Sequence, residues 1–310
     1  MYDVFLRVAE MAIGKSSFVV GMFCAMSATA VWAGNFIIAR GFHHSLSPIT
    51  LSFWRWVVAS SVLVPIALGE VIRQKELIVE HFGFLFVTAL IGVSGCNTLI
   101  YMAGQVTSAV NLSLIAMTAP LGIVILASFF LGESLTFGKI LGMLTAFAGV
   151  VLLFSRGSVE TLVNLSFNGG DLLMVAGASC FAIYSLLVRR VPAGFSTLGF
   201  LSIIFWMGTL LLFPLYLWDR GTSWAPMIPM DSVAVVLYAG VGASLCGFAL
   251  WNRSVSLIGA GRAAAIYYLL PLFSGIDARI FLGESITWVQ GVSGALILFG
   301  VFFSSREKRN

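Results

Sequence analysis

Arg55 stands between Trp54 and Trp56 inside a long apolar run. A guanidinium offers planar, paired N–H donors that match a carboxylate. In such a run it has two readings, an ion pair that ties helices together or a ligand for the carboxylate of a small molecule. Asp277 lies in a second apolar run, two residues from Arg279, so the two point to different faces and do not pair within a helix. Trp32 and Asn35 are three apart, and Asn97 and Tyr101 four apart, so each pair shares a helix face. Asn111, Tyr184, Tyr267 and Tyr268 are also set in apolar surroundings. Each of these is either an interhelical hydrogen bond or a contact for a solute with an apolar body and a polar head.

Covalent chemistry has no such support. The sequence has no Walker-type phosphate loop, no HExxH, no GxSxG and no Cys/His ligand cluster. His43, His44 and His81 all fall in predicted loops. Cys24, Cys96, Cys180 and Cys246 fall in apolar stretches and read as packing residues, not as a disulfide framework or a metal site. No catalytic residue, metal or cofactor is expected.

The elements that carry these side chains follow from composition. The chain has 310 residues, 59% of them hydrophobic and 10% charged, with a mean hydropathy of +1.02. Soluble domains carry about 25% charge, so lipid is the expected solvent. The net charge of +4 is spread singly at segment ends, as juxtamembrane charges are, and does not suggest nucleic acid. A spanning helix needs about 20 apolar residues. Ten such runs lie near 18–40, 48–69, 82–104, 107–131, 137–155, 169–190, 197–218, 232–255, 261–282 and 285–303. The first is too long for a signal-peptide core, so it reads as helix 1 and not as a cleaved leader.

The ten runs are two copies of one unit. Phe130 to Thr136 (FLGESLT) returns as Phe281 to Thr287 (FLGESIT) at an offset of 151, which also carries Pro120 onto Pro271 and Gly149 onto Gly300. An offset of 149 carries Arg40 onto Arg189 and Pro65 onto Pro214. Five helices per unit is odd, so the second copy enters from the opposite side. The expected fold is therefore all-α and integral to the membrane, ten transmembrane helices forming two inverted-topology repeats. The divisions are an N-terminal segment 1–17, a first repeat 18–155, a linker 156–168, a second repeat 169–305 and a tail 306–310. With both termini in the cytoplasm, twelve Lys and Arg lie on the inner side and four on the outer, which is the orientation the positive-inside rule favours.

Pro120 and Pro271, halfway along helices 4 and 9, should kink them, as packing around a bend or as hinges. Glu133 and Glu284 follow a glycine and read as structural turns, each accepting N–H groups in the opening turn of the next helix. Asp277 and Arg279 correspond to Leu126 and Ser128 of the first unit, so those charges belong to one repeat only. Gly138 and Gly142 in helix 5, like Gly291 and Ala295 in helix 10, have the spacing of close helix packing, within one chain or across a homodimer. Trp251, Asn252 and Arg253 read as an interfacial cluster with a snorkelling arginine.

The duplicated Leu-Gly-Glu turns, each eleven residues after a proline and each preceding a glycine-rich helix, resemble the EamA type of the drug/metabolite transporter superfamily. The resemblance covers about Phe18 to Ser305. It implies a solute carrier of the bacterial inner membrane, with helices 1–4 and 6–9 around a central cavity and helices 5 and 10 outside. It implies an exporter of amino acids, other metabolites or drugs. Trp32, Asn35, Arg55, Asn97, Tyr101, Tyr184, Tyr267 and Asp277 then become cavity candidates. A membrane-embedded enzyme is the rival class, and it needs a cluster of carboxylates or histidines at one interface. A channel needs a ring of like groups from symmetric subunits. Neither pattern is present in the sequence.

Overall fold

A computed structural model describes residues 16–34, 46–107, 109–165, 168–221, 228–282 and 287–305, with side chains described except at 109–111, 113, 231, 277–282 and 305. The spanning elements are α1 (Ser16–Gly34), α2 (Pro48–Arg73), α3 (Phe82–Val106), α4 (Ala109–Ala116 and Ala119–Leu131) and α5 (Phe137–Phe154). The second set is α6 (Gly169–Arg189), α7 (Thr197–Arg220), α8 (Val233–Ile258), α9 (Ala260–Tyr267 and Leu270–Leu282) and α10 (Trp288–Ser305). Among the described residues eight helices are long and apolar enough to cross a membrane, and α10 is a shorter apolar one. Below, "inner" denotes the side on which α1 begins.

The two halves meet as mirror partners in sequence. Trp32 of α1 touches Phe181 of α6, its equivalent at the offset of 149, with ring centroids 5.4 Å apart. Ser60 of α2 and Thr209 of α7, again equivalents, share a hydrogen bond of 3.3 Å. A residue can touch its own repeat image only on the axis that relates the repeats. Contacts off the axis occur in matched pairs. α3 packs on α6 as α8 packs on α1, and α2 packs on α8 as α7 packs on α3. An in-plane axis runs at the bilayer midplane, so Trp32, Phe181, Ser60 and Thr209 mark that level.

The α5–α10 pair shows the same exchange at close range. A Cβ on Gly142 would lie 2.6 Å from the Ser304 backbone nitrogen and 2.7 Å from the Gly300 carbonyl. One on Gly149 would lie 2.9 Å from the Ser293 carbonyl. At an offset of 151, Gly142 maps to Ser293 and Gly149 to Gly300, so the seam is reciprocal. Small residues let the two backbones meet, where van der Waals packing must stand in for the missing hydrophobic drive. Outward faces carry Phe129, Phe137, Leu172, Trp218 and Trp288, all exposed, as a lipid-facing surface requires.

Several sequence readings change in detail. α2 continues to Arg73, and the charged stretch after it forms a short helix, Lys75–Glu80, because Glu76 and its neighbours are good helix formers. α4 and α9 are each interrupted just before the proline, so Pro120 and Pro271 stand in the first turn of a new piece, where a missing N–H costs nothing. Glu133 is in the 4–5 turn, after Gly132 at φ +66°, but the N–H groups it accepts belong to α9, because Thr136 already caps α5. Trp251 and Asn252 are buried in the bundle, not interfacial, because α8 runs on to Ile258 and only Arg253 faces out. Glu284 lies outside the described residues.

The seam yields a test. Gly142→Ala should cost about 1–3 kcal/mol of unfolding free energy in detergent, since backbone atoms of α10 must shift. Gly138→Ala, whose Cβ would meet only Phe303 at 3.6 Å, should change it by less than about 0.5 kcal/mol.

Candidate functional site

The site starts at the outer end of α2. Pro48 begins the helix, and the Ser47 hydroxyl accepts from the Thr50 N–H at 3.1 Å. Asp219, near the end of α7, accepts from the Ser47 and Thr50 hydroxyls and so fixes α2 to α7. Phe53 stacks on Tyr216 of α7, with centroids 4.4 Å apart. Arg55 then lies two turns inside the helix and 1% exposed.

Its guanidinium is solvated by neutral groups from two other helices. Nε donates to the Ser244 hydroxyl of α8 at 2.7 Å. Nη1 donates to Asn97 Oδ1 at 3.0 Å and to the Tyr101 hydroxyl, both on α3. The Trp56 ring centroid lies 5.2 Å from Cζ and the Tyr101 centroid 5.6 Å, within cation–π range. Among the described residues no carboxylate pairs with Arg55 and nothing accepts from Nη2. Asn97 Nδ2 and Trp54 Nε1 are buried donors without a hydrogen-bond partner among the described residues. Charged and polar donors with vacant capacity therefore gather at one level of the bundle.

Ser244 reaches Arg55 because α8 is π-helical from Tyr238 to Cys246. A π turn inserts a residue and re-aims side chains, and such turns cluster at functional sites. The matching turn in α3 is Ala89–Gly95. The α8 turn also supplies the Ala243 carbonyl, which accepts from Trp32 Nε1 at 2.8 Å. Trp32 is the centre of a buried aromatic cluster, with Phe181, Phe248, Trp251 and Tyr267 at centroid distances of 5.4, 5.9, 5.5 and 5.9 Å. Below it, toward the inner side, Trp251 Nε1 donates to Ser185 at 3.1 Å, and the Tyr184 hydroxyl donates to Asn252 Oδ1 at 2.8 Å.

The buried guanidinium and its α3 partners have no counterpart in the inner half. At the offset of 149 Arg55 maps to Ile204; in α3 and α8 an offset of 150 aligns Gly92 with Gly242, Ser94 with Ser244 and Cys96 with Cys246, and it carries Asn97 onto Gly247 and Tyr101 onto Trp251. The outer half thus holds a cation and polar donors, and its image in the inner half is apolar or aromatic.

A model of the EamA-like transporter family matches residues 19–155 and again 168–306. The chain belongs to the EamA-like transporter family. It is similar to the uncharacterized transporter YyaM of Bacillus subtilis, 29% identical over 84% of this chain and 85% of that one. It is similar to a probable terminal-alkyne amino-acid exporter of Streptantibioticus cattleyicolor, 26% identical over 89% and 90%. A solved crystal structure at 20% identity superposes with a TM-score of 0.74 over 94% of this chain and 96% of that one, a likeness of fold.

Within this EamA fold the sequence candidates separate into two groups. Arg55, Asn97 and Tyr101 come together at the outer level. Trp32 and Tyr267 join the midplane aromatics, and Tyr184 lies nearby in contact with Phe248. Asn35 and the side chains of Asp277 and Asn111 lie outside the described residues. Ser244 and Phe181 were missed. Only a serine between Gly242 and Gly247 in an apolar run, and a phenylalanine at the repeat offset from Trp32, mark them in the sequence.

Ser244→Ala should destabilise the folded protein by about 1–3 kcal/mol, because a buried charged donor loses its acceptor. Ser244→Thr, which keeps the hydroxyl, should lose less. Urea unfolding of the two variants in detergent, followed by tryptophan fluorescence, provides the comparison.

Proposed function

We propose that the chain exports small amphipathic metabolites that carry a carboxylate, foremost amino acids with apolar or aromatic side chains, by alternating access between two inverted repeats. The observation that carries this reading is the buried Arg55, solvated by Ser244, Asn97 and Tyr101, with Nη2 unoccupied among the described residues. A guanidinium so held is preorganised to receive a carboxylate. The aromatic level below it, Trp32 with Phe181 and Tyr267, suits an apolar body. The name of the Streptantibioticus relative supports the substrate class. The proposed setting is a bacterial inner membrane with both termini cytoplasmic, supported by the twelve-to-four distribution of Lys and Arg. In that orientation Arg55 is in the outer half, about 7.5 Å from the Ser60 level at ~1.5 Å per residue.

The test is binding and flux by purified protein in proteoliposomes. Charge-assisted hydrogen bonds contribute about 1.5–3 kcal/mol, so Arg55→Ala should weaken amino-acid binding by about 10–150-fold and remove transport while the protein stays folded. Arg55→Lys should fall between, since a point charge loses the paired geometry. Undiminished transport by a well-expressed Arg55→Ala variant would contradict the reading.

A further inference from the structure

The duplicated Leu-Gly-Glu turn makes a contact that its position before α5 does not suggest. Glu133 reaches across to the second repeat. Its Oε1 accepts from the Ala260 N–H at 3.1 Å, and its Oε2 from the Gly261 N–H at 3.1 Å. Lys139 of α5, 7% exposed, lies 3.3 Å from Oε2. The carboxylate thus neutralises the positive end of α9 and satisfies two of its orphan N–H groups. Gly259, at φ +85°, turns the chain sharply into that contact. A Cβ on Gly261 would lie 2.6 Å from Glu133 Oε2 and 2.9 Å from Lys139 Cε, so any side chain there displaces the ends of both.

The held piece is short and hinged. Ala260–Tyr267 spans about 10 Å at ~1.5 Å per residue. Its far end carries Tyr267, which touches Trp32, Phe181 and Trp251. Immediately beyond it the helix breaks. Tyr268 and Leu269 donate to Ala265 and Ile266, three residues back, and Pro271 has no N–H to offer Tyr267. One end of this lever is clamped by the first repeat, and the other ends in the aromatic cluster beside a break.

We propose that Glu133 is a latch between the repeats: it holds the first piece of α9 closed on the inner side, and its release lets Ala260–Tyr267 swing about residues 268–271 and draw Tyr267 out of the aromatic cluster. The proposal rests on the alternating-access reading above. It adds that the closed inner side depends on one carboxylate far from Arg55. Arg190 to the Phe130 carbonyl and Arg189 to the Ser256 carbonyl brace the same side and move with it.

Thiol accessibility tests the latch without any substrate, so failure of the transport reading and failure of the latch give different results. In protein lacking the four native cysteines, a single cysteine replaces either Ala264, buried within the lever, or Ser52, buried on the outer side of α2. Both are titrated in detergent with a water-soluble methanethiosulfonate, which reaches both faces. Glu133→Gln should raise the labelling rate at position 264 about tenfold, the response to losing ~1.4 kcal/mol of closed-state preference. It should not raise labelling at position 52, because the outer side closes as the inner side opens. Gly261→Ala, which blocks the contact without altering Glu133, should give the same pattern. Unchanged labelling at 264 in both variants would overturn the latch. So would a rise at both positions, which is general loosening and not release of one side.

Discussion

A guanidinium buried in a membrane bundle has to be solvated by the protein. A charged side chain at mid-membrane costs about 2.5–3.5 kcal/mol on insertion scales. Arg55 donates three charge-assisted bonds, to Ser244, Asn97 and Tyr101, and lies against two aromatic rings. At about 1.5–3 kcal/mol for each such bond, these neutral partners suffice to hold the charge without an anion. Two features of the fold exist around that requirement. The π turn in α8 is what brings Ser244 to Nε, and the Asp219 anchor sets the depth of α2.

The second constraint is the inverted repeat. Two copies related by an in-plane axis must meet at self-contacts, and Trp32 on Phe181 and Ser60 on Thr209 are two of them. Such a bundle has two equivalent ways of tilting its halves. The side chains break that equivalence. The outer half carries Arg55, Asn97 and Tyr101 where the inner half carries Ile204, Gly247 and Trp251. The inner half is also tied across the repeats by Glu133 and by Arg190, which donates to the Phe130 carbonyl. A level that carries a buried cation, above an aromatic level, is an arrangement suited to the proposed transfer of a solute from one side to the other.

The fold was largely legible in the sequence because the solvent is lipid. Apolar runs of about 20 residues can only be helices there, and the offset of 151 between the two FLGES turns implied their pairing. Asn97 and Tyr101 were found for a simple reason, since a spacing of four puts both on one helix face. Ser244 was not, because helical counting assumes 3.6 residues per turn and the π turn breaks that count. The true partner of Glu133 was also hidden. The sequence shows that a carboxylate follows a glycine, but tertiary packing decides which helix N-terminus it meets. Trp251 was misplaced because the end of α8 was set too early, at 255 and not Ile258.

In the proposed alternating-access mechanism the two repeats rock about the Trp32–Phe181 axis. Spin-label distances at both ends of the bundle test it most directly. One pair would join Phe129 of α4 to Arg253 of α8 at the inner side, the other Val106 of α3 to Ile276 of α9 at the outer side. In lipid nanodiscs, with and without a bound amino acid, each pair should show two distance populations. The inner pair should lengthen as the outer pair shortens. A single unchanging distance at both ends, or both ends lengthening together, would contradict the account.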